Sequence, residues 1–367
     1  FPNTVTIYKT KRVPTRVGVE TDWETASGGV QNTVAKKKNG TLWAWGRNDY
    51  GQLGDGTFVQ KRDLPVRIGL DADWDEFSAG GYHVIAKKVD GSIWAWGANG
   101  NGQLGDGLNS QIPFPVKVGA VGGWTDVSAG YYYSLGIQVD GSIAGWGGSS
   151  YRNVQLSSSG LVAGSVKKYG EFGSPDWSEG ATAVAAAFNT NNSTSYSVVI
   201  GKGGGIYTWG SDTNGTLGND NASSNRTYPV PLATLGYKWR LLSAREAHGM
   251  GITTDGQLWA WGYGGFGQVG DGGGTSRFIP YRVGTDSNWV DASAGYNSSY
   301  GIKSDGTLWS WGYNHVSSTN HRFRLGDGSF VVSKVLPEQV GTDTDWKSVE
   351  GGLHSLAIKT DGSLWGW

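Results

Sequence analysis

The chain has 367 residues, with 62 glycines, 19 tryptophans, one methionine, no cysteine and a formal net charge of −1. This glycine load excludes a helical bundle, because each glycine inside a helix costs about 1 kcal/mol. The balanced charge removes the basic footprint of a nucleic-acid binder, no run approaches the roughly 18 apolar residues of a spanning helix, and the lack of cysteine excludes disulfides and thiolate metal sites.

Residues 1–13 read as an N-terminal arm that starts at Phe1 rather than at methionine, with no recognisable signal peptide. We read this as a processed, truncated or partial chain, compatible with a piece of a larger assembly. Pro14-Thr15-Arg16-Val17-Gly18 reads as a short strand. From Leu42 onward one motif dominates: a hydrophobic residue, usually an aromatic, a small residue, then Trp-Gly. It begins at Leu42, Ile93, Ile143, Ile206, Leu258, Leu308 and Leu364, at spacings of 51, 50, 63, 52, 50 and 56 residues. Repeats of this length signal a solenoid or a propeller.

Each copy brings companions. Asn39-Gly40, Asp90-Gly91, Asp140-Gly141, Asp255-Gly256, Asp305-Gly306 and Asp361-Gly362 precede it, dipeptides that supply the positive φ angles of a tight hairpin. Gly-Gln-Leu-Gly-Asp-Gly follows at 51–56 and 102–107, with variants at 267–272 and 324–328. A Pro-x-x-Val/Ile-Gly segment, a tryptophan and a Ser-Ala-Gly-like run complete the unit. The tryptophans divide into seven at the Trp-Gly position, seven before the small-residue run and five more (Trp43, Trp94, Trp259, Trp309 and Trp365), which accounts for all 19. Residues that recur in every repeat are read as packing between repeats, not as a stacking platform for sugars or bases.

Each unit therefore offers four short strands. Strand A (Phe77-Ser78-Ala79-Gly80 in one unit) is made of small residues and is placed innermost. Strand B runs from His83 to Lys87 and strand C carries Trp-Gly. Strand D, Pro65-Val66-Arg67-Ile68-Gly69, is placed outermost because proline is tolerated on an edge. The expectation is all-β: a seven-bladed β-propeller of four-stranded antiparallel blades, residues 14–367 forming a single domain. The chain opens on a D-type strand and ends on a C-type strand, so the N-terminal strand is expected to close the last blade.

The runs Trp96-Gly97-Ala98-Asn99 to Gly107 and Gly351 to Ala357 resemble the repeat of the regulator of chromosome condensation family, and the resemblance covers residues 14–367. It implies the seven-bladed fold. It leaves function open, since that family uses its propeller as a nucleotide-exchange factor for a small GTPase, as a β-lactamase-inhibitor-like binder and as a surface module. Residues 148–161 lack the Gly-Gln-Leu-Gly-Asp-Gly run, and Gly203-Gly204 replaces Asp-Gly.

With strands alternating in direction, A–B and C–D loops share one face, and B–C turns and D–A loops share the other. Three departures from the repeat fall on the first: Gly148–Gly160, Asn189–Thr194 and Asn314–Phe323. Tyr151, Arg152, Asn189, Asn191, Asn192, His315, His321, Arg322 and Phe323 are the partner-binding candidates there, since binding residues concentrate in loops. One position forms a ring around the axis: Asn32, His83, Tyr133, Tyr196, His248, Ser298 and His354. These side chains either bond the neighbouring blade or form a polar-aromatic channel mouth. The opposite face collects Glu20, Asp22, Asp71, Asp73, Asp176, Asp286, Asp343 and Asp345, partly offset by Lys36, Lys37, Lys38, Lys87 and Lys88.

Signals for catalysis fail on mechanism. Gly262-x-Gly264-x-x-Gly267 opens no helix, so it is no dinucleotide site. His315 and His321 lack a paired carboxylate. Asp55, Asp106, Asp271 and Asp327 give one carboxylate per loop, far short of a calcium shell, and Asn192-Ser193-Thr194 and Asn225-Arg226-Thr227 are chance glycosylation triplets. The expected protein is not an enzyme and needs no cofactor or metal. It binds a protein partner or joins a larger assembly, without nucleic acid or membrane insertion. Its polar, cysteine-free composition suits an interaction module on an extracellular or virus-particle surface, a structural role. An exchange factor for a small GTPase and a glycan-binding lectin are the alternatives.

Overall fold

A computed structural model describes residues 11–119, 122–148, 167–169 (backbone), 180–187, 195–220, 225–233, 236–314 and 323–367. Of the positions singled out above, Tyr151, Arg152, Asp176, Asn189, Asn191, Asn192, His315, His321 and Arg322 lie outside the described residues, as does Trp177, one of the seven tryptophans before the small-residue run.

The described residues form seven four-stranded sheets, and in six of them the strands follow chain order. In the first blade these are Trp23–Gly28, Asn32–Lys37, Leu42–Arg47 and Lys61–Arg67, all neighbours antiparallel. The last blade departs: Trp346–Glu350, Leu356–Lys359 and Leu364–Gly366 are completed by Thr15–Arg16 from the other end of the chain. Thr15 pairs with Gly366 and Arg16 with Trp365, and Val17 N donates to Leu364 O at 2.7 Å. The ring is closed by the N-terminal strand, which leaves no unpaired edge on strand C of the last blade.

Strand D starts earlier than Pro65 and stops before Ile68. Its first residues, Lys61 and Arg62, pair with Arg47 and Gly46; a bulge follows, and Val66 and Arg67 then pair with Ala44 and Trp43. Pro65 falls within the irregular stretch, where its missing N–H breaks no ladder bond. A Pro-based reading of the sequence sees only the second half of such a strand.

The small residues of strand A have a bonding role beyond fitting the axis. Ser27 Oγ accepts from Ala79 N at 3.1 Å, Ser78 Oγ from Ala129 N at 3.0 Å, Ser128 Oγ from Ala186 N at 2.9 Å, Ser243 Oγ from Ala294 N at 2.9 Å and Ser293 Oγ from Gly351 N at 2.9 Å. Each serine ties its blade to the next around a narrow central cavity of about 110 Å³. Ala185 and Glu350 stand at the serine position in the two remaining blades.

The Trp-Gly tryptophans join blades farther out. Trp96, Trp261 and Trp311 are fully buried, and their Nε1 atoms donate to Gln52 O, Thr216 O and Gln268 O in the C–D loop of the preceding blade, at 3.1, 3.0 and 2.9 Å. The loop's second glycine lets this happen: a Cβ on Gly270, at φ +77°, would stand 2.7 Å from Trp311 Nε1. The loop leucine packs beside it, and Leu53, Leu104, Leu217 and Leu325 are all wholly buried. Asn48, Asn99, Asp212 and Asn314 hold the loop by accepting from that leucine's N–H at 2.9–3.1 Å. Gly-Gln-Leu-Gly is thus an inter-blade joint.

Candidate protein-binding face

The seven ring residues sit inside the blade interfaces. Asn32, His83, Tyr133, Tyr196, His248 and Ser298 are at most 3% exposed. The polar atoms of His83, Tyr133, His248 and His354 face the neighbouring blade, whereas Ser298 Oγ bonds Tyr300 Oη of its own strand. His83 Nε2 lies 2.9 Å from Ser134 Oγ, and His248 Nε2 2.9 Å from Ser299 Oγ. Ser134 and Ser299 spend their own hydroxyl protons on Gln103 O and Gln268 O. The histidines must therefore donate from Nε2, leaving Nδ1 bare. Burial drives both imidazoles down to about 3, so they are neutral across the physiological range. Tyr133 Oη reaches Tyr196 O at 2.9 Å and Ala187 O at 3.1 Å.

The turn face is held by paired charge. Lys88 bonds Asp71 and Asp73 at 2.7 and 3.0 Å, Lys303 bonds Asp286 at 2.7 Å, and Lys359 bonds Asp343 and Asp345 at 2.7 and 2.9 Å. Each ammonium also lies over two indoles: Lys88 over Trp74 and Trp94, Lys303 over Trp289 and Trp309, Lys359 over Trp346 and Trp365. Lys37 does the same over Trp23 and Trp43 and pairs with Asp22. The outer indoles are fixed from the turn itself. Asp305 accepts from Thr307, whose hydroxyl accepts from Trp309 Nε1 at 2.8 Å. These half-buried tryptophans are cation seats as well as packing, and the aspartates opposite them are already engaged.

The loop aspartates have partners too. Asp55 accepts from Thr57 and pairs with Arg62 at 2.8 Å, Asp271 pairs with Arg277 at 2.5 Å, and Asp327 pairs with Lys334 at 2.5 Å. They clamp the C–D loop to the start of strand D. The Gly262–Gly267 stretch is the end of a C strand and its C–D loop. No group of three or more metal-ligating side chains occurs among the described residues.

The A–B/C–D face differs in kind. Tyr50, from a C–D loop, lies 5.0 Å from Tyr82 of the next blade's A–B loop. Tyr82 lies 5.5 Å from Tyr131 of the third blade, and Tyr131 is 4.4 Å from Tyr132. Arg47 stacks over Tyr50 and Tyr82 at 6.0 and 5.7 Å, and its hydrogen bond with Asp49 holds the guanidinium firmly charged. A second group on this face joins Tyr263, Phe266 and Tyr313, the last two stacked at 4.3 Å. Phe323, the one partner-binding candidate within the described residues, is 7% exposed, with Arg12 over its ring at 5.5 Å.

Residues 39–86, 90–137, 203–245 and 255–302 match the regulator of chromosome condensation (RCC1) repeat, just over half of the chain, and a second form of that repeat matches 25–52, 74–103 and 289–317. The chain belongs to the RCC1 repeat family. It is 29% identical over 277 residues to the ultraviolet-B receptor UVR8 of Arabidopsis thaliana, a match spanning 73% of this chain and 60% of the receptor. It is 36% identical over 83 residues to the human E3 ubiquitin-protein ligase HERC2, only 2% of that protein. Among solved structures, Prp20p of Saccharomyces cerevisiae superposes with a TM-score of 0.77 at 18% identity, covering 94% of this chain and 81% of that one. Human WBSCR16 gives 0.77 at 19% identity, covering 97% and 88%. These two likenesses show the shared fold.

Against this RCC1 frame the aromatic patch stands out. The residue before the ring position is Tyr82 and Tyr132 in two blades but Gln31, Ala247, Asn297 and Leu353 in others; Tyr82, Tyr132 and Leu353 pack against buried Val30 and Tyr131, and Tyr50 is the exposed end of the run. The Tyr131-Tyr132-Tyr133 run was the available signal in the sequence. Nothing there joined it to Tyr50 or Arg47, some eighty residues away.

Proposed function

We propose that this RCC1-type propeller is a non-catalytic protein-binding module whose A–B/C–D face receives a protein partner. The observation that carries this reading is the run Tyr50–Tyr82–Tyr131–Tyr132 across three blades with Arg47 stacked on it. Tyrosine and arginine dominate binding hot spots because they bury large, stiff, amphipathic surface. The patch breaks the sevenfold repetition, so a partner would be held in one orientation. By the order of strands in the sequence we also assign the irregular segments 148–160, 189–194 and 314–323, which fall almost wholly outside the described residues, to this proposed face. Display on an extracellular or particle surface is the setting we propose, on the ground of the polar, cysteine-free composition.

The test compares proteins retained by the parent, by Tyr50→Ser/Tyr82→Ser and by Asp286→Ser on the turn face. The reading expects a partner held by the parent and Asp286→Ser and lost by the tyrosine variant. A partner retained by the tyrosine variant and lost by Asp286→Ser would overturn it.

A further inference from the structure

The inner strands enclose an axial cavity whose polar groups are arranged to donate. Its walls come from all seven blades, and each lining residue lies on an inner strand. Ser27, Ser78, Ser128 and Ser243 line it, and the oxygen of each accepts a backbone N–H of the next blade at 2.9–3.1 Å. A hydroxyl that accepts still has its own proton to give. No acceptor for these four protons occurs among the described residues, and the four side chains share one space.

Two charged side chains line the same cavity. Arg245, on the fifth blade, is buried and donates to Gly28 O of the first blade at 2.8 Å. Its Nη2 lies 3.6 Å from Glu350 Oε1, and Ser293 Oγ donates to Glu350 Oε2 at 3.2 Å. Glu246 also acts on Arg245, and Asp291 on Glu350; His354, which faces the guanidinium as well, is kept neutral with its pKa lowered to about 4. Burial pushes the Glu350 carboxyl up to about 7, against the pull of Arg245 and the Ser293 bond. Near neutrality Glu350 takes up a proton, and the guanidinium then loses one of its two facing counter-charges, while burial already works against its own charge. A buried cation short of counter-charge, beside four unspent O–H donors, matches the needs of an anion.

We propose that the axial cavity binds one chloride-sized monovalent anion, held by the serine hydroxyls and the Arg245 guanidinium. At about 110 Å³ the cavity has room for the ion and a few waters, which carry the contact to hydroxyls out of direct reach. The ion supplies the charge that Glu350 gives up, so ion and proton enter together and affinity rises as pH falls through about 7. The serines and Arg245 belong to four blades, so the bound ion stabilises the closed ring from inside. The site goes beyond the docking face proposed above and shares no residue with it.

Crystals of the 1–367 chain grown in sodium bromide, measured at the bromine absorption edge, locate the ion. An anomalous peak is expected on the axis beside Arg245 and the serine hydroxyls; peaks on the outer surface alone, an adventitious ion only, would overturn the proposal. In solution, melting temperatures are followed against sodium chloride, with sodium gluconate holding the ionic strength fixed. Chloride should raise the melting temperature, with an apparent dissociation constant about tenfold larger at pH 8 than at pH 6, which is the fall in the protonated fraction of a carboxyl at about 7. Glu350→Gln, always neutral, should bind chloride equally at both pH values. Ser128→Ala, which copies the alanine that Ala185 already brings to the ring, should weaken binding severalfold, and Arg245→Gln should abolish the chloride increment. Chloride that stabilises no more than gluconate, an increment that Ser128→Ala and Arg245→Gln leave intact, or a pH dependence retained by Glu350→Gln would overturn the proposal.

Discussion

The shared carbonyl at a regular joint gives a prediction whose size can be worked out. Gln268 is wholly buried, and its oxygen accepts from Trp311 Nε1 and Ser299 Oγ. Trp311→Phe removes one of the two bonds and some packing volume, a cost of about 2 kcal/mol. Ser299→Ala removes the other and leaves His248 Nε2 without an acceptor, about 1–3 kcal/mol. In either single variant the carbonyl keeps one donor. In the double variant it keeps none, and an unpaired buried acceptor adds about 1–3 kcal/mol beyond the sum. Urea denaturation followed by far-UV circular dichroism, at matched slopes, measures all four corners of the cycle. Trp311→Phe combined with Ser92→Ala, in a remote blade, provides the additive control. A Trp311/Ser299 double variant that is additive within about 0.5 kcal/mol would refute the shared-acceptor account of the joint.

Three further outcomes follow. Burial holds His83 and His248 near 3 and His354 near 4, so the unfolded chain binds protons that the folded one refuses, and stability falls as pH drops from about 6.5. Burial raises Glu350 to about 7 and also raises Glu76, Asp126 and Asp291; these groups favour folding at lower pH, so the steep loss lies below about pH 4 and His248→Asn should move the acid midpoint down; an unmoved midpoint would contradict this. Deleting residues 1–18 strips Thr15–Arg16 from the Leu364–Gly366 edge, and light scattering should show association of a less stable protein; a monomer with the parent melting temperature would sink the closure. Arg245 lies 3.6 Å from Glu350 at the axis and donates to Gly28 O, so Arg245→Gly should cost more at pH 8, where Glu350 ionises, than at pH 6, and adding Glu350→Ser, the residue of other blades, should recover part of the melting temperature; a pH-independent loss with no recovery would count against this pairing.

What the sequence disclosed tracks what one repeat contains. The hairpin dipeptides, the Trp-Gly strand and the small inner strand recur within about fifty residues, so strand order and ring closure could be read from spacing alone. Strand D could not be bounded, because its first half pairs through Gly46 and Arg47 ahead of a bulge that the Pro65 signal does not report. The tryptophans were read as a single kind of packing. Trp309 and Trp365 turn out to carry an ammonium each, a distinction made by the D–A aspartates that face them. The patch of Tyr50, Tyr82, Tyr131 and Tyr132 was not legible, since adjacency between blades is a property of the ring and not of any one repeat.

The proposed docking face is tested most directly by site-specific photo-crosslinking. A benzoylphenylalanine at Tyr50, or at Tyr82, is compared with one at Asp286 on the turn face, in an extract of the cells or particles that carry the protein. The account predicts a discrete protein adduct from the two tyrosine positions and none from Asp286. Adducts from Asp286 alone, or from no position on the tyrosine face, would contradict it.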